Sequence, residues 1–111
     1  MSVHVLDMQT GLPSVGVEVE LERRQPGGRW ERIGSGVTNH DGRIEALYPQ
    51  TQPLEQGEYR VTFQTGAWYQ QQHVDAFYPV VQLVLRVDGR LPHYHVPLLL
   101  SPFGYTTYRG S

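Results

Sequence analysis

The strongest constraint on the fold is an alternation of apolar and polar residues with a period of two. In residues 15–21, three valines and a leucine alternate with a glycine and two glutamates, and similar alternation recurs in 59–64, 81–87, 94–98 and 3–6. Successive side chains of a β-strand point to opposite faces of a sheet. Each run therefore predicts a strand with one buried face.

Tight turns are predicted between these runs. The Asp-Gly pairs at 88–89 and 41–42 each supply a glycine for the positive φ of a hairpin turn. The Gly-Ser-Gly segment 34–36 is interpreted as a loop or bulge, and only residues 67–75 favour a short helix. Seven or eight short, regularly spaced strands predict an all-β antiparallel sandwich that forms a single domain, residues 1–111.

Composition limits the partners that this chain can have. Its 111 residues suit one domain with one core, and a net charge of -2 does not favour nucleic acid or an anionic membrane. There is no cysteine, so disulfides and thiol catalysis are excluded. No apolar run reaches the roughly 18 residues of a membrane span. Residues 1–8 show no secretory-signal pattern, so we expect a cytoplasmic location.

Two histidines lie on predicted strands with a parity opposite to that of their apolar neighbours. His4 lies between Val3 and Val5, and His95 also lies between two apolar residues. Both side chains should therefore point away from the core, towards solvent or an interface. A histidine there is a candidate general base, because its pKa lies close to neutrality. The alternative interpretation is a surface histidine without a role.

Other reactive side chains leave alternatives open. His93 and His95 share a strand face at a spacing that fits metal ligation, with His4 as a conceivable third ligand. Without cysteine or a spaced carboxylate we expect no metal and no cofactor. Arg43 follows the turn at 41–42 and is either solvated or a planar donor for a carboxylate or a heterocycle edge. No serine elbow, phosphate-binding loop or dinucleotide fingerprint is present.

The last residues, 108–111, read Tyr-Arg-Gly-Ser and follow directly on a β-rich run, 103–108. They bring together a cation, a flexible backbone link, a hydroxyl and a carboxylate. If the last strand is docked, these groups form part of a fixed site. A frayed end without function is the alternative, since chain termini often fray.

Four segments resemble the transthyretin-like family, and within it the 5-hydroxyisourate hydrolases. They are 4–13, which contains His-Val-Leu-Asp and Gly-Leu-Pro; 38–43, Thr-Asn-His-Asp-Gly-Arg; 95–102, His-Val-Pro-Leu-Leu-Leu-Ser-Pro; and 108–111. The segments occur in the family's order and extend over essentially the whole chain. The resemblance implies a transthyretin-like eight-stranded antiparallel β-sandwich with one short helix. It also implies a homotetramer, a dimer of dimers, with active sites in the channel between dimers.

The same resemblance implies an activity and a set of site residues. The expected reaction is hydrolysis of 5-hydroxyisourate to 2-oxo-4-hydroxy-4-carboxy-5-ureidoimidazoline in urate degradation. His4 and His95 are implied as the acid–base pair, Arg43 as the group that binds substrate and developing charge, and Ser111 as an orienting group. The residues implied to close the pocket are Tyr108 and Arg109. The rival hypotheses are a transthyretin-fold carrier that binds a small ligand without turnover and a sandwich used only for protein contacts.

Overall fold

The computed structural model describes residues 1–111, which form two β-sheets and one short helix. The strands in chain order are β1 Ser2–Asp7, β2 Leu12–Pro13, β3 Glu18–Arg24, β4 Trp30–Val37, β5 Arg43–Ile44, β6 Gly57–Phe63, β7 Val81–Val87, β8 His95–Ser101 and β9 Gly104–Thr107. One sheet has the order β2-β1-β8-β9, with β5 also paired to β1, and the other has the order β4-β3-β6-β7. The predicted sandwich is confirmed. The structure has nine strands rather than eight, two of them only two residues long.

The core is built from the inward-facing residues of both sheets, as the period of two predicts. The most deeply buried large side chains are Tyr59, Tyr69, Phe63, Leu21, Leu47 and Leu98. Helix α1, Thr65–Gln71, adds Trp68 and Tyr69 to this cluster. The helix begins two residues before the predicted 67–75 and ends earlier, because His73 adopts a positive φ of 58° that no right-handed helix continues.

Both predicted Asp-Gly hairpins are wrong. β7 pairs with β6 in one sheet, whereas β8 lies between β1 and β9 in the other, so the turn at 88–89 crosses between sheets. The turn at 41–42 likewise connects β4 to β5, which belong to different sheets. Gly89 and Gly42 do adopt the expected positive φ, 78° and 72°. A turn's local geometry sets the reversal of the chain, but the two strands pair only where their apolar faces can be buried together.

One strand pair departs from the antiparallel prediction. β1 runs parallel to β8, with Ser2 opposite His95 and His4 opposite Pro97. A parallel pair needs a long connection, and here most of the chain lies between the two strands. The antiparallel strand β5 pairs with β1, where Arg43 is opposite His4. These pairings bring three distant segments to one part of a single sheet.

The Gly-Ser-Gly segment 34–36 lies inside β4 rather than in a loop. The register of β3 with β4 shifts between Leu21, opposite Gly34, and Glu22, opposite Arg32, so a bulge precedes the segment. A Cβ atom on Gly34 would overlap the backbone carbonyl oxygen of Leu47. Glycine is therefore required where the chain of residue 47 approaches the strand.

None of the helical structure has both the length and the apolar character needed to cross a membrane.

Replacing Gly34 by alanine should destabilise the fold, since the new methyl group overlaps the Leu47 carbonyl. We expect a loss of about 1–3 kcal/mol in the free energy of unfolding, measured by urea denaturation. Gly104→Ala is the matched control, because a Cβ atom there meets only Ser101 Oγ, at 3.7 Å. An unfolding midpoint of Gly34→Ala equal to that of the control would contradict the close approach.

Candidate active site

His4 and Arg43 are neighbours across the β1–β5 pair. They are direct register partners, and directly opposite residues of an antiparallel pair have Cβ atoms about 5 Å apart. His4 projects to the outer face, because Val3 and Val5 on either side of it are fully buried. The predicted outward orientation of His4 is confirmed, and Arg43 accompanies it on the same face.

His95 joins this group through the parallel pair of β1 with β8. It lies opposite Ser2, and residues 2 and 4 of a strand point to the same face. Its neighbours Tyr94 and Val96 are buried, so the His95 ring faces outward as predicted. The first strand, a two-residue strand and a late strand thus bring His4, Arg43 and His95 together on one sheet face.

The terminal segment is docked rather than frayed. β9 pairs with β8, and beyond it the Gly110 N–H donates a hydrogen bond of 2.9 Å to the His95 carbonyl. A Cβ atom on Gly110 would lie 2.5 Å from Cδ2 of His95 and 3.1 Å from Cγ of Pro97. Only glycine lets the backbone lie this close to the imidazole ring, which gives a physical reason for the third position of the Tyr-Arg-Gly-Ser segment.

Docking of Gly110 places the remaining predicted residues beside His95. Tyr108 and Arg109 are exposed and, together with His95 and residues 84–87 of β7, line a cleft of about 320 Å³ that His4 and Arg43 do not line. Ser111 is exposed and follows the docked glycine. Its predicted role as an orienting group stays a prediction.

Electrostatics keep both outward histidines neutral. Burial lowers the pKa of His4, and the Arg43 cation lowers it further, while contact with the Asp41 backbone acts in the opposite direction. Burial also lowers the pKa of His95, with additional lowering by Arg43, His4 and His93. An ordinary histidine has a pKa of about 6.5. Both rings are therefore unprotonated at neutral pH and able to accept a proton.

One residue of this group was missed by the sequence analysis. The Ser2 hydroxyl oxygen lies 2.7 Å from Nδ1 of His95 and 2.9 Å from Nε2 of His93. The only available signal was that Ser2 shares a strand face with His4, since a contact with residues more than 90 positions away has no local signature. His93 and His95, predicted as a conceivable metal pair, instead share this hydroxyl, and no three histidine, cysteine or carboxylate groups are arranged to hold a metal ion.

A sandwich of these two sheets, with histidines and an arginine on the outer face of one of them, defines a transthyretin-like protein. The family model described as the HIUase/Transthyretin family matches residues 1–110. The chain therefore belongs to the HIUase/transthyretin family.

Individual relatives agree with this membership. Over 111 residues the chain is 47% identical to the 5-hydroxyisourate hydrolase of Salmonella typhi, covering all of this chain and 80% of that protein. Among solved structures it is similar to the 5-hydroxyisourate hydrolase of Klebsiella pneumoniae, with a TM-score of 0.86, 37% identity and coverage of 99% and 97%. It is also similar to sea bream transthyretin solved in complex with thyroxine, with a TM-score of 0.92, 34% identity and coverage of 98% and 92%.

Replacing Arg43 by glutamine should raise the pKa of both His4 and His95. The guanidinium cation disfavours a second positive charge on either ring, and the amide removes that repulsion. Titration of the imidazole ring protons by NMR measures both values directly. Arg29→Gln is the control, because Arg29 is an exposed cation between β3 and β4 of the other sheet and is not among the charges that shift either histidine. Unchanged histidine titrations in Arg43→Gln would contradict the electrostatic assignment.

Proposed function

We propose that this protein hydrolyses 5-hydroxyisourate to 2-oxo-4-hydroxy-4-carboxy-5-ureidoimidazoline, a step of urate degradation. The observation that carries the proposal is the placement of His4, Arg43 and His95 on one face of a sheet, assembled from three distant parts of the chain. Relatives named 5-hydroxyisourate hydrolase support the substrate.

Hydrolysis of a cyclic amide needs an activated water, a held substrate and a stabilised oxyanion. Two neutral histidines can supply the proton transfers. One accepts a proton from water as the water oxygen bonds to the ring carbonyl carbon. The imidazolium so formed returns that proton, directly or through the other histidine, to the nitrogen as the C–N bond breaks, and the other histidine also orients the water. His4 and His95 share these roles in an order that the geometry leaves open.

Arg43 suits the two remaining requirements, a held substrate and a stabilised oxyanion. Its planar guanidinium presents five N–H donors in a fixed fork, which fits the oxygen and nitrogen edge of a planar heterocycle. The same positive charge stabilises the negative charge that develops on the attacked carbonyl oxygen. Arg43 therefore binds substrate and lowers the barrier, and after burial it is the second cause that lowers the pKa of both histidines.

The terminal segment completes the proposed pocket. Tyr108 and Arg109 close it beside His95, and Ser111 orients a histidine or the substrate through its hydroxyl or carboxylate. Support comes from the docking of Gly110 against the His95 ring and its hydrogen bond to the His95 carbonyl.

The proposed assembly is a homotetramer, a dimer of dimers, with the sites in the channel between dimers. Large apolar side chains exposed in the single chain support a buried interface. They include Leu12, Val15, Val84 and Phe103, all more than half exposed. A cytoplasmic location stays a prediction.

The rival function is a transthyretin-fold carrier of a small ligand, as the similarity to sea bream transthyretin suggests. A carrier needs a binding surface but no proton acceptor. The two neutral histidines beside an arginine favour the hydrolase.

The test is the ultraviolet decay of freshly generated 5-hydroxyisourate with and without the purified protein. We expect the wild type to accelerate the decay and His95→Ala to lose about 10²–10⁴-fold of the acceleration, the usual contribution of one acid–base residue. The control is His73→Asn, since His73 lies in an exposed loop and asparagine tolerates its positive φ.

The outcomes separate the two functions. A folded wild type that leaves the spontaneous rate unchanged would favour the carrier. Full acceleration by His95→Ala would keep the hydrolase and overturn the role of His95.

A further inference from the structure

We propose that Ser2 and His93 position the catalytic imidazole of His95, by fixing the ring proton on Nδ1 so that Nε2 is free to accept a proton. The inference rests on the proposed hydrolase function and deepens it. It assigns a role to two residues that lie outside the predicted site, and it commits His95 to a defined tautomer.

The Ser2 hydroxyl is held in place rather than free to rotate among partners in solvent. Ser2 is 4% exposed and lies opposite His95 in the β1–β8 register. Its backbone N–H donates a hydrogen bond of 3.0 Å to the carbonyl of Tyr94, between the two histidines. Its Oγ lies within hydrogen-bond distance of one ring nitrogen of each, 2.7 Å for His95 Nδ1 and 2.9 Å for His93 Nε2.

The hydroxyl has one proton to donate and two lone pairs with which to accept. It contacts no other hydrogen-bond partner in the chain, so a hydroxyl proton given to neither ring would be buried and unpaired, at a cost of about 1–3 kcal/mol. Ser2 therefore donates to one histidine and accepts from the other. Two arrangements remain.

In the first arrangement His95 Nδ1–H donates to Ser2 Oγ, and Ser2 donates to His93 Nε2. The second reverses both bonds, so that Ser2 donates to His95 Nδ1 and the proton of that ring resides on Nε2. Only the first leaves Nε2 of His95 with a free lone pair. Proton placement on His95 and His93 is therefore coupled through one hydroxyl.

Protonation of His95 selects the same arrangement. An imidazolium carries protons on both nitrogens, so Nδ1–H must donate and Ser2 must accept. The first arrangement thus serves His95 both as a neutral proton acceptor at Nε2 and as an imidazolium that gives the proton back. No hydrogen bond has to reverse during the transfer, which is the property of a preorganised site. An outer partner that fixes a histidine tautomer is a recurrent device in proteins.

The first measurement is the tautomer of His95 in the substrate-free protein, by ¹⁵N NMR of the imidazole nitrogens. We expect the Nδ1–H form in the wild type and a mixture of tautomers in Ser2→Ala. Ser2→Thr keeps the hydroxyl and should restore the Nδ1–H form. Ser14→Ala is the matched control, because Ser14 is a buried serine whose hydroxyl has no hydrogen-bond partner.

The second measurement is steady-state turnover of 5-hydroxyisourate by the same variants. We expect kcat of Ser2→Ala to fall about 10–100-fold with KM little changed, the scale seen when the hydrogen-bond partner of a metal-binding histidine is removed. Ser2→Thr should recover kcat. His93→Phe should also lower kcat, because His93 acts on His95 through the Ser2 hydroxyl. The kcat of the double variant Ser2→Ala/His93→Phe should be no lower than that of the less active single variant.

An Nε2–H tautomer in wild-type His95 would overturn the proposal, as would a Ser2→Ala variant that keeps both the Nδ1–H tautomer and the wild-type kcat. Additive losses in the double variant would also overturn it, because they would show that Ser2 and His93 act separately. The tautomer is read without substrate. An Nδ1–H signal in a protein that does not hydrolyse 5-hydroxyisourate would therefore remove the proposed function and leave the hydrogen-bond arrangement intact.

Discussion

The parallel pairing of β1 with β8 brings Ser2 to His95, which is 93 positions further along the chain. Closing so long a loop costs roughly 4 kcal/mol beyond a constant, from the logarithmic dependence on loop length. Four apolar side chains of the pair, Val3, Val5, Val96 and Leu98, are buried, and each contributes about 1.5–3 kcal/mol. Burial of the inward half of the pair therefore outweighs the length-dependent part of this cost.

The sequence predicts the sheet face to which a side chain points much better than it predicts which strands pair with each other. A period of two is a local property, so the outward orientation of His4 and His95 followed from their immediate neighbours. The Asp-Gly pair at 88–89 predicted a positive φ correctly, yet it joins strands of different sheets. Sheet membership depends on which faces can be buried together across the whole chain. For the same reason no local pattern indicated the contact of Ser2 with His93 and His95.

The Tyr-Arg-Gly-Ser segment shows how a recognised pattern acquires a physical explanation only in three dimensions. From sequence, residues 108–111 were either a docked site or a frayed end. The structure docks Gly110 through a hydrogen bond to the His95 carbonyl, with no room for a Cβ atom beside the ring. Glycine is needed at position 110 because the His95 ring leaves no room for a Cβ atom. The backbone conformation does not require it, since the φ of Gly110 is not in the left-handed region.

The division of each strand into two faces also explains how one fold can support different chemistry. Inward residues build the sandwich, and a solved transthyretin with a TM-score of 0.92 has the same architecture. The candidate site uses outward positions of β1, β5 and β8, whose side chains can change without disturbing the core. Partial burial and the neighbouring Arg43 cation both disfavour a positive charge on His4 and His95, so both rings stay neutral. That electrostatic arrangement has a use where a water must lose a proton, and it is the property that a binding surface alone does not require.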